Sequence, residues 1–319
     1  MVALAGIRLA RDGDTLAEGT GLGGLWMGAI LVAAATSLPE LTTGVNAVLQ
    51  GHPSLAAGDL FGACMANMMI LAVSDLVTRG PRMLTRVTVN QALVGAVGIS
   101  LTVIAALGIL LDSGHTAIVL GWPTLAIAFT YTAGMRLLHV NREAPPFRTE
   151  AQVEKVAPTP TQLRTGLVGF VVSAAAIIVA APTLASSAAQ LGEQFGVSEG
   201  FAGMIFLAIT TTLPEAAVTL GAIRIGAYSL AVGNLLGSNC FNIAVLVPLD
   251  LVFGRGSLMA ALDPTLVIAA LFATLLMGLA VLEALNKSEK RIWLLEPGPT
   301  FMLLTYAVGL VAVYRAGAP

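Results

Sequence analysis

The stretch Ala35-Thr36-Ser37-Leu38-Pro39-Glu40 returns later in the chain as Thr210-Thr211-Thr212-Leu213-Pro214-Glu215. In both places a proline and a carboxylate stand inside a long apolar run. A proline within a helix has no N–H for the carbonyl four residues earlier, so the carbonyls of Ala35 and Thr210 are left free. In a membrane such backbone is tolerated only where protein buries it or where it lines a cavity. The two stretches therefore predict two broken helices, each with a glutamate directly after its proline.

The composition of the chain is that of a membrane protein. Hydrophobic residues make up 56% of its 319 residues, charged residues make up 11%, and the mean hydropathy is +0.87. A soluble domain has about a quarter charged residues. Apolar stretches of about 20 residues, the length that crosses a bilayer, recur along the whole chain. We therefore predict an all-α, multi-pass protein of the lipid bilayer. Cys64 and Cys240 fall in apolar stretches and are predicted to be small buried residues.

The two halves of the chain are similar to each other. A shift of 175 residues aligns Gly28–Leu71 with Gly203–Leu246 without a gap, and 17 of the 44 aligned positions are identical. Interrupted helices at matching positions of two similar halves are typical of secondary transporters, whose binding site lies where the repeats meet. The repeat therefore predicts a transporter with its site between the two halves.

Ten transmembrane segments are predicted, five in each half, at residues 1–11, 22–49, 55–78, 88–111, 116–138, 165–187, 199–223, 228–252, 264–285 and 298–315. An odd number of spans per repeat makes the second repeat enter the membrane from the opposite side, so we expect inverted repeats. The predicted units are a first repeat at 1–138, a polar cytoplasmic linker at 139–164 and a second repeat at 165–319. The first segment is shorter than its counterpart. We expect either a truncated half-helix or a true start codon upstream of Met1, and favour the upstream start.

The basic residues predict the orientation of the protein. Loops that follow odd-numbered segments contain 14 of the 16 lysines and arginines, with Arg8 and Arg11 among them, and the opposite side has only Arg255 and Arg315. Short loops rich in lysine and arginine face the cytoplasm. Both termini are therefore predicted to be extracytoplasmic, in a plasma or inner membrane.

The two glutamates are the first candidates for a cation site. A carboxylate in mid-bilayer costs about 2.5–3.5 kcal/mol on insertion scales, so Glu40 and Glu215 need a compensating role. The alternative, a protonated glutamate that only packs helices, is less favoured because each stands beside a proline break. Oxygen atoms of carboxylates, hydroxyls and carbonyls are the ligands of hard cations such as Ca²⁺. The neighbouring candidate ligands are the hydroxyls of Thr36, Ser37, Thr211 and Thr212, and the carbonyls of Ala33 and Ala208, which share a helix face with the glutamates.

A polar ladder at four-residue spacing follows each break. Its positions are Asp59, Ala63 and Asn67 in the first half, and Asn234, Ser238 and Asn242 in the second. Residues four apart share a helix face. Asn67 and Asn242 are candidate ligands, with hydrogen bonding between helices as the alternative. Asp59 lies two turns from Asn67 and is interpreted as a pathway or helix-end carboxylate, not as a central ligand.

These motifs resemble the α-repeats of the Ca²⁺/cation antiporter superfamily, in its sodium/calcium exchanger branch. The resemblance rests on Ala-Thr-Ser-Leu-Pro-Glu with Gly-Asp-Leu-Phe-Gly-Ala-x-x-x-Asn, and on Thr-Thr-Leu-Pro-Glu with Gly-Asn-Leu-Leu-Gly-Ser-Asn-Cys-Phe-Asn. It covers essentially the whole chain. It implies ten transmembrane helices, four ion sites, and alternating access by sliding of helices 1 and 6. By position it implies the ligands Thr36, Ser37, Glu40 and Asn67 from the first half, and Thr211, Thr212, Glu215, Ser238 and Asn242 from the second.

Three positions depart from the pattern of that family. Ala63 stands where a serine is usual, which removes a hydroxyl ligand. Asp59 replaces an asparagine, and Asn242 stands where prokaryotic exchangers often have an aspartate. With two glutamates as its carboxylates, the site would have a charge of −2, which one Ca²⁺ or two Na⁺ would neutralise. The Na⁺ stoichiometry therefore stays open, and K⁺ dependence is not expected.

The expected function is exchange of Ca²⁺ for Na⁺. Ca²⁺ would bridge Glu40 and Glu215, and Na⁺ would displace it at the flanking hydroxyl and carbonyl groups. A proton/calcium exchanger that uses the same glutamates is the main alternative, and a passive cation channel is a less favoured one. No nucleophile–base pair, phosphate loop or cofactor motif stands out in the sequence. We therefore predict no enzyme activity, no cofactor and no nucleic-acid partner, with small inorganic cations as the ligands.

Overall fold

The chain folds into a bundle of long helices. The computed structural model describes residues 2–20, 26–78, 83–84, 89–111, 116–117, 120–140, 158–195, 199–286 and 297–317. Its helices are α1 (Val2–Thr20), α2 (Met27–Thr36), α3 (Leu38–Leu49), α4 (Pro53–Val77), α5 (Val89–Leu111), α6 (Trp122–Val140), α7 (Pro160–Phe195), α8 (199–211), α9 (Leu213–Arg224), α10 (Tyr228–Phe253), α11 (Leu266–Asn286) and α12 (Pro297–Gly317). A 3₁₀ turn, Met259–Ala261, lies between α10 and α11. The mostly helical fold predicted from the composition is confirmed.

Six stretches of the described residues are long and apolar enough to cross a membrane. They are α4, α5, α8 together with α9, α10, α11 and α12, and the bent pair of α2 and α3 makes a seventh. On length and composition, the described chain therefore does not reach the predicted ten spans. In α1 the reason is charge, because this helix contains Arg8, Arg11, Asp12, Asp14 and Glu18. The protein is an integral, multi-pass membrane protein.

Helix α1 is longer than the predicted first segment, which ended at Arg11. The polar residues after Arg11 have the composition of a loop, but Leu9 and Leu16 are buried at helical spacing. On the polar side Arg8 Nε donates to Asp12 Oδ2 (3.1 Å), one turn further on. The helix packs against α7 and α9. Arg8 and Arg11 consequently lie within a helix and not in the predicted loop.

The predicted linker 139–164 is shorter at both ends, because α6 runs to Val140 and α7 begins at Pro160. A capping box starts α7: Thr159 N donates to Gln162 Oε1 (2.8 Å), and Gln162 N donates to Thr159 Oγ1 (3.3 Å). A proline at the first helical position completes this start, since its missing N–H would have no helical partner. Most of the predicted linker lies outside the described residues.

A short strand pair departs from the all-helical prediction. Thr116–Ala117 (β1) and Leu120–Gly121 (β2) pair antiparallel directly before α6, so this helix begins at Trp122 and not at 116. The buried carboxylate of Asp250, near the end of α10, holds this turn in place. It accepts hydrogen bonds from Gly121 N (2.8 Å), Thr124 Oγ1 (2.5 Å) and Leu258 N (2.6 Å).

Both predicted helix breaks are present. α2 and α3 are separated at Ser37 and bend by 42°, and α8 and α9 are separated at Thr212. The proline of each motif falls in the first turn after the break, where a proline fits a helix. An unpredicted feature is the π-helical segment before each break, at Met27–Val32 and Gly203–Leu207. π-Helical turns are rare and frequently occur at functional sites. Both halves therefore have the same irregularity at the same place.

The halves pack on each other through reciprocal glycine crossings between the broken helices and the ladder helices, α4 and α10. A Cβ atom at Gly237 in α10 would collide with the backbone of Ala29 in α2. A Cβ atom at Gly62 in α4 would collide with the backbone of Met204 in α8. Under the shift of 175 residues Gly62 is equivalent to Gly237, and Ala29 is equivalent to Met204. This exchange of partners shows that a pseudo-two-fold axis relates the two halves.

The pseudo-two-fold axis passes close to Cys64 and Asn239, because these equivalent positions of the two repeats contact each other. Asn239 Nδ2 donates to Cys64 O (3.2 Å), and Cys64 Sγ donates to Asn239 O (3.7 Å). Cys64 and Cys240 are both buried, as their apolar surroundings predict, and neither forms a disulfide. The ladder helices therefore meet at the centre of the bundle.

Candidate cation-binding site

The hydroxyls at each break contact the polar ladder of the other half. Thr211 Oγ1 donates to Asp59 Oδ1 at 3.0 Å, and Thr36 Oγ1 lies 3.3 Å from Asn234 Oδ1. All four side chains are buried. These two contacts are equivalent under the repeat, so the breaks and the ladders of both halves form one buried polar cluster.

Buried polar atoms without a hydrogen-bond partner are concentrated at the predicted ligands. Among the described residues they are Glu40 Oε1 and Oε2, Glu215 Oε2, Asn67 Oδ1, Asn242 Oδ1 and Nδ2, and Trp26 Nε1 at the start of α2. Native proteins pair about nine tenths of their buried polar groups, and an unpaired one costs about 1–3 kcal/mol. Carboxylate and amide oxygens that lack donors, contributed by both halves, are the groups that a bound cation would satisfy.

The two glutamates differ in their immediate surroundings. Glu215 Oε1 accepts hydrogen bonds from Ser37 Oγ (3.1 Å) and Ser238 Oγ (3.4 Å). Neither oxygen of Glu40 has a partner among the described residues. The Glu40 carboxylate also lies within electrostatic range of Glu215 and Asp59. The protein therefore orients Glu215 directly and leaves Glu40 free to bind a ligand.

Two residues of the chain explain why Glu40 lacks counterparts of the two serine hydroxyls that donate to Glu215. Ala63 occupies the position equivalent to Ser238 and has no hydroxyl. Thr212 occupies the position equivalent to Ser37, but its Oγ1 donates to a carbonyl one turn earlier in its own helix (2.7 Å). Threonine hydroxyls in helices often donate in this way. As predicted from the sequence, Ala63 leaves the first half of the site with one hydroxyl fewer than the second half.

Asn67 is oriented by Asn239, a residue that was not among the predicted ligands. Asn67 Nδ2 donates to Asn239 Oδ1 (3.0 Å) across the contact between α4 and α10. The hydrogen bond between helices, which was the alternative interpretation of Asn67, is therefore present. It occupies the amide nitrogen and leaves Asn67 Oδ1 unpartnered. The sequence signal for Asn239 is its position, equivalent to Cys64 and three residues before Asn242.

The carbonyls of Ala33 and Ala208 already accept hydrogen bonds. Ala33 O accepts from Ser37 N (2.9 Å), and Thr36 Oγ1 lies 3.2 Å from it. Ala208 O accepts from Thr212 N (3.0 Å) and from Thr212 Oγ1 (2.7 Å). A carbonyl oxygen has two lone pairs. With at least two donors within hydrogen-bonding distance of each, these carbonyls are the least available of the predicted ligands.

Asp59, interpreted from the sequence as a pathway or helix-end carboxylate, is fully buried. This carboxylate is buried in α4, where Oδ1 accepts from Thr211 Oγ1 (3.0 Å) and Oδ2 accepts from Thr43 Oγ1 (3.2 Å). Thr43 belongs to the first broken helix and Thr211 to the second. Asp59 therefore connects both broken helices, and it is a third buried carboxylate beside the two glutamates. Its place on the ladder face, shared with Asn67, was the available signal.

The chemistry of this cluster suits reversible binding of hard cations. Among the described residues, no group of three or more His, Cys, Asp or Glu side chains is arranged as a metal site. The candidate ligands are instead two glutamates with amide and hydroxyl oxygens around them. Oxygen-only ligand sets favour Ca²⁺ and similar ions over the transition metals that prefer imidazole or thiolate ligands.

Comparison with known protein families agrees with this geometry. The family described as "Sodium/calcium exchanger protein" matches residues 2–135 and 165–315 of the chain. The chain belongs to the sodium/calcium exchanger family. The members of this family are cation antiporters and not enzymes.

Relatives of this exchanger-family protein match along most of its length. "Putative antiporter CaxA" from Alkalimonas amylolytica is 28% identical over 302 residues, which cover 90% of each chain. "Inner membrane protein YrbG" from Escherichia coli K12 is 28% identical over 262 residues, which cover 81% of this chain and 78% of the relative. A shorter match of 84 residues at 36% identity, covering 26% of this chain and 24% of the relative, is to "Sodium/calcium exchanger MaX1" from Methanosarcina acetivorans.

The fold of this exchanger-family protein is also that of a solved structure. The sodium-calcium exchanger NCX_Mj superposes with a TM-score of 0.71 and a sequence identity of 18%, covering 97% of this chain and 94% of that chain. A likeness at this level of identity shows the shared fold and does not identify the transported ions.

Proposed function

We propose that this exchanger-family protein is a secondary antiporter that exchanges Ca²⁺ for Na⁺ across the membrane by alternating access. One Ca²⁺ would bridge Glu40 and Glu215, and Na⁺ ions would displace it at the flanking hydroxyl and carbonyl groups. The observation that carries the proposal is the set of buried, unpartnered oxygens of Glu40, Glu215, Asn67 and Asn242, which come from both halves.

The proposed ligands divide into three groups by availability. The unpartnered oxygens of the glutamates and asparagines are free for direct coordination. The hydroxyls use their protons in hydrogen bonds and keep lone pairs for a cation. The carbonyls are the most occupied. In this order the proposed ligands are Glu40, Glu215, Asn67 and Asn242, then Thr36, Ser37, Thr211, Thr212 and Ser238, and last Ala33 and Ala208.

Exchange follows from the energetic cost of an uncompensated site. Two ionised glutamates without a counter-ion in apolar surroundings are costly. A conformational change that moves the site from one side of the membrane to the other is therefore expected only when cations are bound. Ca²⁺ carried in one direction then requires Na⁺ in the other.

We further propose that the halves are inverted repeats with ten membrane segments in total, and that helices 1 and 6, which are α1 and α7, slide over the rest during transport. The reciprocal glycine crossings support a closely packed unit of broken and ladder helices over which α1 and α7 would slide, because small residues allow close backbone contact between helices. The distribution of basic residues supports a cytoplasmic linker and extracytoplasmic termini.

Flux of ⁴⁵Ca²⁺ into proteoliposomes tests the coupling ion. Gradients of Na⁺, H⁺ and K⁺ are imposed one at a time, with protein-free liposomes as the background. We expect Ca²⁺ uptake to follow an outward Na⁺ gradient and to be indifferent to K⁺. Ca²⁺ uptake that ignores the Na⁺ gradient would show that Na⁺ coupling is wrong.

One observation favours a second candidate, a proton/calcium exchanger. Glu40 has no hydroxyl partner among the described residues, so the first half has fewer hydroxyls with which to bind Na⁺. In that mechanism the same glutamates would carry protons. A pH gradient that drives Ca²⁺ flux in the absence of Na⁺ would support it. A passive channel, in contrast, would give single-channel currents in planar bilayers.

A further inference from the structure

Asp59 and Asn234 are equivalent positions of the two ladder helices, but only Asp59 can be charged. Both are fully buried. Asp59 contacts Thr211 at 3.0 Å, and Asn234 contacts the equivalent Thr36 at 3.3 Å. The two half-sites therefore have the same architecture and a different electrostatic character.

The acceptor of a hydroxyl proton decides where the hydroxyl lone pairs point. A threonine hydroxyl has one proton and two lone pairs, and only the lone pairs bind a cation. Thr211 Oγ1 is nearer to the Asp59 carboxylate (3.0 Å) than to a carbonyl of its own helix (3.4 Å). A hydrogen bond to an ionised acceptor is also about twice as strong as a neutral one. Asp59 is therefore the nearest acceptor of the Thr211 proton, with the Glu40 carboxylate also close to this hydroxyl.

Thr36 is in a different situation. Its Oγ1 is nearer to two carbonyls of its own helix, at 3.1 and 3.2 Å, than to Asn234 Oδ1 at 3.3 Å. Ser238 Oγ is a further neutral partner at 3.5 Å. The one carboxylate near this hydroxyl, Glu215, already accepts from Ser37 and Ser238, so no carboxylate is available to Thr36 alone. The lone pairs of Thr36 are consequently less firmly directed than those of Thr211.

Asp59 also changes the charge on one side of the site. Its second oxygen accepts from Thr43 Oγ1 (3.2 Å) on α3, and its carboxylate lies within electrostatic range of Glu40. A cation beside Thr211 is attracted by this additional negative charge. A cation beside Thr36 has only the amide of Asn234 at the equivalent place.

We propose that Asp59 is a positioning residue that makes the two half-sites unequal. It directs the lone pairs of Thr211 toward the bound cation and adds negative charge on that side. A monovalent cation therefore binds more tightly beside Thr211 than beside Thr36. This inference rests on the proposed function, in which the hydroxyls at the breaks bind Na⁺.

The test is Na⁺ binding to the purified full-length protein, measured as the Na⁺-dependent rise in unfolding temperature with choline as the control cation. Asp59→Asn, which imitates Asn234, is expected to raise the Na⁺ concentration for half-maximal stabilisation by about tenfold. Thr211→Val should have a similar effect. In the D59N/T211V double variant the two effects should not multiply, because Asp59 acts through Thr211.

A charge-swap variant separates this role from simple structural support. D59N/N234D keeps the total charge and moves it to the other half. In that background Thr36→Val, and no longer Thr211→Val, should produce the larger loss of Na⁺ affinity. A Na⁺ titration of D59N within twofold of the wild type, or effects of D59N and T211V that multiply fully, would overturn the proposal.

A second variant covers the case in which D59N does not fold. Asn234→Asp alone should lower the Na⁺ concentration for half-maximal stabilisation, and an unchanged titration would overturn the proposal. Because Na⁺ binding is measured without transport, the two claims can fail separately. A normal Na⁺ titration without Na⁺-coupled Ca²⁺ flux counts against the proposed function alone. A wild-type protein that Na⁺ does not stabilise overturns both.

Discussion

Glu40 and Glu215 stand at equivalent positions, and single residues make their surroundings different. Two serine hydroxyls, from Ser37 and Ser238, orient Glu215. The position equivalent to Ser238 is Ala63, which has no hydroxyl to donate to Glu40. Hydrogen-bond donors hold a carboxylate in position before a ligand binds. A buried carboxylate without donors is stabilised more by the ligand, because the ligand removes the cost of its unsatisfied oxygens. The two glutamates are therefore expected to differ in how strongly they depend on a bound cation.

Removing either carboxylate is expected to abolish Ca²⁺ transport. Glu40→Gln or Glu215→Gln leaves a buried divalent cation with one anionic ligand, so ⁴⁵Ca²⁺ flux in proteoliposomes should fall by about a hundredfold or more. Glu199→Gln is the matched control. This carboxylate is exposed at the start of α8, where it pairs with His52 Nδ1 (2.7 Å), and its removal should leave the flux unchanged. Wild-type flux in either site variant would remove both glutamates from the proposed site.

Restoring the missing hydroxyl is expected to strengthen Na⁺ binding. Ala63→Ser places an Oγ atom at the position equivalent to Ser238, within the same ladder that faces Glu40. A net hydrogen bond contributes about 0.5–1.5 kcal/mol, so the apparent Na⁺ affinity in Na⁺-driven Ca²⁺ efflux should rise about threefold to tenfold. Ala57→Ser, at another buried position of α4, is the control and should leave Na⁺ dependence unchanged. An A63S variant with the wild-type Na⁺ dependence would contradict this account of Ala63.

The broken helices and the ladder helices work as a unit because their backbones touch. The π-helical segments that precede the breaks lie at the glycine crossings, where α2 meets α10 and α8 meets α4. Small residues at a crossing leave no side chain between the two backbones. The position of each break relative to the opposite ladder is therefore set by the crossing, and the site geometry depends on it.

Adding a methyl group at a crossing is expected to destabilise the protein. Gly62→Ala or Gly237→Ala forces a Cβ atom against the opposing backbone and should cost about 1–3 kcal/mol, seen as a lower unfolding temperature in detergent. Gly278→Ala in α11 is the matched control. No described atom lies within 4 Å of a Cβ there, so the higher helix propensity of alanine should stabilise this variant by up to about 1 kcal/mol. Equal unfolding temperatures for all three variants would show that the crossings are not tightly packed.

The pseudo-two-fold relation extends to the turns at the ends of the broken helices. Gly51 and Gly226 are equivalent positions, and both have a positive φ, of 89° and 78°. Each glycine is the second residue after the end of the second broken piece, in a conformation that L side chains rarely adopt. The hydrogen bonds from Gly51 N to Val48 O and from Gly226 N to Ile223 O are equivalent as well. The two halves are therefore copies of one architecture over their central region.

Labelling at these turns tests whether the repeats are inverted. Gln50→Cys and Ile225→Cys place a thiol at equivalent, exposed positions, while the native cysteines are buried. In inverted repeats a membrane-impermeant maleimide should label Gln50→Cys from outside the cell and Ile225→Cys only after the membrane is opened. The wild-type protein, with its buried cysteines, is the control. Labelling of both variants from the same side would mean that the repeats are parallel.

Much of the site was predictable because its chemistry is local. A proline removes a helical hydrogen bond wherever it stands, and a carboxylate in an apolar run requires a partner. These two facts located Glu40 and Glu215 before any fold was known. The extent of α1 was harder to predict, since Leu9 and Leu16 become buried only in the tertiary structure, in which α1 packs against α7 and α9. The role of Asp59 was missed for the same reason, because its partner Thr211 lies in the other half of the chain.

Residue order alone was sufficient for the membrane class, the duplicated halves and the identity of the residues at the breaks. Hydrophobic length, repeat spacing and proline chemistry all act within one segment, so they can be read along the chain. Only the packing of helices that are distant in sequence determined which hydroxyl donates to which carboxylate. Ser37 donates to Glu215 of the other half, whereas Thr212 donates to its own helix. A side chain has a choice of staggered positions, and its neighbours in space select between them.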